Sequence, residues 1–210
     1  MLYIFDWDGT LVNSVARIVT CLKAAARDLA LPQLDDARYQ EIIGLGLIEA
    51  VRQLYPSVSP AMQESMCEAY SANFIALDEG PCPFFPGVEE TLSTLHAQGH
   101  LLAIATSKSR RGLDRVLDQL GWQEYFHTTR CADETASKPH PLMLQEILLD
   151  LQRTPADAIM VGDTSYDLEM ANLAGVRGIG VSYGAHPVER LLPHAPIAIV
   201  DKFEAILAVI

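Results

Sequence analysis

The chain has 210 residues, half of them hydrophobic, enough for one sizeable domain or a core domain with a smaller insertion. Its 15 Lys and Arg against 27 Asp and Glu give a net charge of −12, which argues against nucleic acid or an anionic membrane surface as partner and means that an anionic substrate needs a local cation or metal. The cysteines at 21, 67, 82 and 131 form no Cys-x-x-Cys pair, and neither a signal peptide nor a membrane-length apolar run is visible, the pattern of a reduced, cytoplasmic protein.

Leu2 to Phe5 reads as a short buried strand leading into Asp6-Trp7-Asp8-Gly9-Thr10-Leu11. Residues two apart share a face of a strand, so Asp6 and Asp8 project the same way near its carboxyl end. Asp8-Gly9 equally suits an ordinary turn. An amphipathic helix follows from Val15 to Leu29, ended by Leu31-Pro32. Two further helical patterns run from Tyr39 to Leu54, interrupted by Gly44-Leu45-Gly46, and from Met62 to Leu77. The breakers Gly80 to Gly87 close this helical unit and form the clearest linker in the chain.

Beyond the linker, helix and strand alternate, as in a parallel sheet with crossover helices. Helices are expected over Val88–Gln98, Arg111–Leu120, from Pro139 or Pro141 to Leu151, after Asp163 to Ala174, and briefly after Asp201. Strands are expected at Leu101–Ala105, Tyr125–Thr129, Ala158–Val161, Val176–Val181 and Ile197–Val200. The fold class is therefore α/β, with a Rossmann-like open parallel sheet, and ligands in such sheets sit beyond the carboxyl ends of the strands. Asp6/Asp8, Thr106/Ser107, Lys138 and Asp163/Asp167 all fall at such ends or in the loops after them.

Asp163 and Asp167 are four apart at a helix start, and with Asp6 and Asp8 they gather four carboxylates. Like-charge repulsion would keep one of them protonated unless a hard cation such as Mg²⁺ joined them. A plain N-cap is the competing reading of Gly162-Asp163-Thr164. Thr106-Ser107 precedes a helix whose first-turn N–H groups can cradle an anion, and an N-cap hydroxyl explains it as well. Lys138, fixed beside Pro139, can neutralise a phosphate or a carboxylate, although a lone lysine is ordinarily just solvated. Such a set suits phosphoryl transfer to an aspartate.

In order and spacing, Asp6-Trp7-Asp8-Gly9-Thr10-Leu11, Thr106-Ser107, Lys138-Pro139 and Gly162-Asp163-Thr164-x-x-Asp167 resemble the four motifs of the haloacid dehalogenase-like hydrolases. The helical segment after the first motif resembles the cap of the subgroup holding phosphoglycolate phosphatases and β-phosphoglucomutases. The resemblance implies a core of residues 1–13 and 82–210 and a cap of 14–81. It implies Asp6 as nucleophile, Asp8 as proton donor and later base, Thr106 with the Ser107 amide on the phosphoryl oxygens, and Lys138 steadying Asp6 and phosphate. Mg²⁺ would be held by Asp6, the Asp8 carbonyl, Asp163 and Asp167. Lys108 resembles the lysine of Thr-Asn-Lys in phosphoglycolate phosphatase-like members, but Ser107 replaces the Asn, and Asn13 stands where many relatives have Asp.

The implied activity is Mg²⁺-dependent hydrolysis of a small phosphorylated metabolite through an aspartyl-phosphate, with phosphoglycolate as the family-level substrate. A sugar phosphomutase and a non-catalytic Mg²⁺/phosphate-binding module are the alternatives. Asp8 argues against a dehalogenase, which releases no alkoxide for it to protonate. The histidines at 96, 100, 127, 140, 186 and 194 show no metal-ligand spacing. Gly44-Leu45-Gly46 suits either a helix junction or a backbone that approaches the substrate, and Arg110 and Arg111 either a second anion or an exposed helix start. The sequence leaves the oligomeric state open.

Overall fold

The computed structural model describes residues 1–77 and 80–209; Asp78 and Glu79, within the expected cap, and Ile210, at the end of the expected core, lie outside the described residues. Six strands, β1 (Leu2–Phe5), β2 (Leu101–Thr106), β3 (Thr128–Cys131), β4 (Ala158–Gly162), β5 (Arg177–Val181) and β6 (Ala198–Val200), form one sheet. Its order is β3-β2-β1-β4-β5-β6 and every pairing is parallel. The chain leaves β1 toward β2 and β3 and returns to the other side of β1 with β4. The crevice at this reversal opens at the carboxyl ends of β1 and β4.

All four residues of β1 are buried because helices cover both faces of the sheet, which is why the strand reads as an unbroken apolar run. Tyr3 and Phe5 enter a core with Leu102, Ile104, Ile159 and Val161, roofed by α5 (Val88–Ala97) and α6 (Arg110–Leu120). Leu2 and Ile4 face Ala103, Ala105 and Met160 under α7 (Leu142–Asp150) and α8 (Ser165–Leu173). Ile4 lies level with Ala103 on β2 and Met160 on β4.

Four helices between β1 and α5 build a separate apolar cluster: α1 (Val15–Asp28), α2 (Asp36–Glu41), α3 (Leu47–Leu54) and α4 (Pro60–Ala76). Tyr39, Val51 and Met66 are fully buried in it, and the Tyr39 and Tyr55 hydroxyls satisfy each other at 2.8 Å. The chain leaves and re-enters the sheet side by side. The Asn13 N–H donates to the Pro83 carbonyl at 2.9 Å, the Phe85 N–H to Leu11 at 3.0 Å, and Val12 bridges Phe84 antiparallel.

The interruption expected at Gly44-Leu45-Gly46 divides the pattern from Tyr39 to Leu54 into two helices, α2 and α3: Gly44 takes φ +104° and a Cβ there would stand 2.7 Å from Thr164 Oγ1. Other boundaries differ from expectation. The strand expected at Tyr125–Thr129 begins at Thr128: Tyr125 and Phe126 instead pack with Trp122, and Phe126 and Trp122 reach Trp7 and Phe84. Helix α6 starts at Arg110, where the Ser109 hydroxyl caps the Gly112 N–H at 3.2 Å. The short helix α9 (Val188–Leu191), with a 3₁₀ turn over Leu192–His194, went unread, and the last helix is a 3₁₀ segment, Phe203–Ala208.

The burial pattern sets an expected stability contrast. Ile4→Ala, on the fully buried central strand, should cost about 2–5 kcal/mol in urea unfolding. Leu149→Ala, on the outer side of α7 and 79% exposed, should stay within about 0.5 kcal/mol of the parent. Equal losses at the two positions would contradict the two-layer core.

Candidate active site

Parallel register brings the end of β1 beside the end of β4, so Asp6 and Asp163 follow neighbouring strands. The Asp6 N–H continues the ladder to the Val161 carbonyl at 3.0 Å, fixing the residue before its side chain is considered. Asp6, Asp163 and Asp167 are all buried, each with a carboxylate oxygen within 4.8 Å of the others'. Lys138, from the segment between β3 and α7, is 1% exposed. Its ammonium lies 2.5 Å from Asp6 Oδ1 and 2.7 Å from Asp167 Oδ1. The solvated-lysine reading of Lys138 is therefore wrong: this lysine is a buried counter-ion.

Local sequence holds the other carboxylates. Thr164 caps α8 and Asp167 is its reciprocal partner: Asp167 Oδ2 accepts the Thr164 N–H at 3.0 Å and its hydroxyl at 2.7 Å. The capping and ion-site readings thus coincide on Asp167. Its Oδ1 receives no hydrogen bond, the Lys138 contact being an ion pair off the hydrogen-bond direction. Asp163 Oδ1 accepts from the Thr10 hydroxyl at 2.9 Å and Oδ2 from the Ala185 N–H at 2.7 Å. Gly9, at φ +84°, admits Asp163 to this position, since a Cβ on Gly9 would meet Asp163 Oδ2 at 2.3 Å.

Burial pushes the Asp6 carboxyl well above its ordinary range; the Lys138 ammonium opposes this, and the Asp167 and Asp163 charges add to it. Burial, and then the Asp167 charge, raises Asp163 to about 7. For Lys138 burial acts downward, but Asp167 and Asp6 outweigh it and hold the ammonium above its ordinary value. One buried ammonium faces three buried carboxylates, so it does not offset the upward push of burial on the two acids.

Asp8 sits apart from this cluster, partly open, with Oδ2 3.0 Å from the Lys108 ammonium. That ammonium also lies 5.1 Å from the ring centre of Phe74 on α4. Thr106, 1% exposed, accepts the Lys108 N–H at 3.2 Å. Ser107 donates its hydroxyl to the Gly44 carbonyl at 2.5 Å, spanning the sheet and the α2–α3 connection. Thr106 ends β2 and Ser107 follows it, two residues ahead of the Ser109 cap of α6. Asp6, Asp8, Thr106, Ser107 and Lys108 all line one cavity of about 510 Å³, and Gly44 and Leu45 line it from the other side. Arg111 lines it too, whereas Arg110 is bound to Asp114, Glu134 and Thr129.

Several contributors escaped sequence reading. Thr10 stands inside the first motif yet drew no role. Ser137 accepts the Gly46 N–H at 2.7 Å, and the Tyr166 hydroxyl donates to the Glu41 carbonyl at 3.1 Å. His186, buried, accepts the Ser165 N–H at Nδ1 and reaches the Glu41 carbonyl with Nε2 at 3.1 Å. Burial holds its imidazole below the ordinary value, as suits a neutral ring bonded at both nitrogens. No spacing in the chain announces these contacts.

Residues 3–181 match the haloacid dehalogenase-like hydrolase family. Over 98% of its length the chain is 40% identical to a probable phosphatase, IndB, of Dickeya dadantii, covering 91% of that protein. It is 28% identical to a phosphoglycolate phosphatase of Vibrio vulnificus, over 98% of this chain and 94% of that one. The crystal structure of a predicted phosphoglycolate phosphatase from Haemophilus somnus superposes with a TM-score of 0.89 at 25% identity, over 99% of this chain and 96% of the other. Among the described residues no helix is long and apolar enough to cross a membrane. Matched along nearly its whole sheet, with the acids that follow β1 and β4 drawn to one buried lysine, the chain belongs to the haloacid dehalogenase-like hydrolases.

Proposed function

We propose that this protein is a Mg²⁺-dependent phosphatase that hydrolyses a small phosphomonoester through an aspartyl-phosphate on Asp6. One observation carries the reading: Asp6 is buried at the cavity floor with Lys138 2.5 Å from Oδ1, so its carboxylate is fixed and faces a space that Asp8 and Thr106 also line. The division into a core of residues 1–13 and 82–210 and a cap of 14–81 belongs to the same proposal. It is supported by the separate apolar cluster of α1–α4 and by the paired strands of chain at Val12 and Phe84.

The donor set suits a hard divalent cation. Asp6, Asp163 and Asp167 offer carboxylate oxygens only, Asp167 Oδ1 takes no hydrogen bond, and one ammonium, Lys138, faces all three carboxylates. Asp6, Asp163 and Asp167, with the Asp8 carbonyl, would hold Mg²⁺. When bound it would neutralise the carboxylates and the phosphoryl oxygens. This chain's own groups do the rest. A carboxylate oxygen of Asp6 attacks phosphorus as the bond to the leaving oxygen breaks, and Asp8 gives that oxygen its proton. Asp8 then takes a proton from water, whose oxygen attacks phosphorus; the bond from phosphorus to the Asp6 oxygen breaks, releasing phosphate and restoring the Asp6 carboxylate. Lys138 balances charge on Asp6 throughout. Lys108 orients Asp8, and the Thr106 hydroxyl and Ser107 amide bind phosphoryl oxygens.

Phosphate release from p-nitrophenyl phosphate and from alkyl phosphates, with and without Mg²⁺, tests this. Asp6→Asn should lower kcat by at least about 10⁴-fold. Asp8→Asn should cost about 10²–10⁴-fold on alkyl esters and less on p-nitrophenyl phosphate, whose leaving group needs no proton. Undiminished turnover in Asp6→Asn would sink the mechanism.

The raised acids also fix the sign of a pH effect. With Asp163 at about 7 in the folded chain against 3.8 ordinarily, the folded state binds more protons than the unfolded one between those values. Stability of the metal-free protein should therefore fall as pH rises from about 5 to 7.5, by roughly 2–8 °C in Tm. Added Mg²⁺ should remove most of that slope, since it stabilises the ionised acids. A Tm that rises through this window without metal, or ignores Mg²⁺, would count against the site.

A further inference from the structure

The cavity above Asp6 and Asp8 is polar on its floor and on the α6 side, where Arg111 and Arg115 line it, and mostly apolar on the wall opposite the floor. Its volume of about 510 Å³ lies in the range, roughly 300–1,000 Å³, that encloses a drug-sized ligand. The side facing the sheet supplies the carboxylates and hydroxyls already described. The opposite wall is Ile18 and Leu22 of α1, Ile43 and Leu45 of the α2–α3 connection, and Tyr70 and Phe74 of α4, whose rings stand 5.8 Å apart. We infer that the substrate's leaving group is an extended apolar body wide enough to carry a ring, held between the floor and the α1/α4 wall. This rests on the phosphatase reading above and narrows its substrate from a small hydroxy-acid phosphate to a ring-bearing phosphomonoester.

Volume and the apolar wall favour this occupant. A two-carbon acid phosphate would fill a small part of the space and leave the apolar wall without contacts, contributing nothing to affinity. On the floor, the Lys108 ammonium is engaged by Asp8 at 3.0 Å. The Arg17 guanidinium is committed to the Gly80 carbonyl at 2.9 Å. Arg111 and Arg115 remain, on the α6 side, and the Arg115 guanidinium lies 5.9 Å from the centre of the Phe74 ring. Phe74 thus meets Arg17, Lys108 and Arg115 while lining the cavity, which holds its ring in place as a fixed wall.

Steady-state kinetics with Mg²⁺ on ethyl phosphate, 2-phenylethyl phosphate and phosphoglycolate separates the possibilities, because all three release a primary alkoxide. The phenylethyl ester should exceed both others in kcat/KM by at least about 10-fold. Phe74→Ala should collapse the phenylethyl-to-ethyl ratio mainly through KM, a ratio that cancels any general loss of folding or of Asp8 orientation. Phosphoglycolate as best substrate, or equal turnover of the two alkyl esters, would overturn the inference and leave the phosphatase reading standing. A ratio unchanged in Phe74→Ala would overturn the placement against α4. Turnover of none of the three, nor of p-nitrophenyl phosphate, would overturn the phosphatase reading and the inference with it.

Discussion

A single buried ammonium determines where the rest of the site can be. Moving a charged lysine out of water costs several kcal/mol, and the cost is recovered only where opposite charge and good geometry meet it. Lys138 meets both conditions only because β1 and β4 are adjacent and parallel, which places Asp6 and the start of α8 at one level. The sheet order is thus a precondition of the ion cluster. A chain in which β4 paired elsewhere would bury Lys138 against Asp6 alone, and Asp167, tied to Thr164 by the cap of α8, would have no cation at all.

The same charges explain why the site is poised for a ligand. With all acids ionised, Asp6, Asp163 and Asp167 exceed Lys138 in charge, and burial prevents water from screening the excess. The cluster resolves the excess by taking up a proton or a cation. A divalent cation, on the proposed function, would compete with protons for the same oxygens, and the raised acids express the proton side of that competition.

The parts of the fold carried by periodicity were legible. Strands β1, β2 and β4 are unbroken apolar runs because both faces are covered, and α1 shows its apolar face at helical spacing. What periodicity cannot separate is an aromatic strand from an aromatic cluster, hence the misplaced start of β3 around Trp122, Tyr125 and Phe126. Helix α9 is one turn long and bounded by Pro187 and the 3₁₀ turn at Pro193, too short to register a period. In the site, Asp6, Asp8, Thr106, Ser107, Lys138, Asp163 and Asp167 were singled out because they fall at strand ends or in the segments after them, a positional rule. Ser137, Tyr166 and His186 were not, since each acts by reaching the 41–46 segment, a contact made only in three dimensions.

That segment also explains why the two halves of the cavity carry different information. The floor is built by strand ends, so its geometry follows from the sheet and is shared by any chain that preserves the sheet order and those acids. The wall is built by α1, α4 and the turn at Gly44, which touch the floor through a few polar contacts: Ser107 to Gly44, Ser137 to Gly46, Tyr166 and His186 to Glu41. Side chains such as Ile18, Leu22 and Phe74 can therefore change without disturbing Lys138 or its carboxylates. Chemistry is constrained by a buried charge cluster that tolerates little change, and selectivity by an apolar surface that tolerates much. Relatives that share the first need not share the second, and on the proposed function it is the wall that would select what the phosphate is attached to.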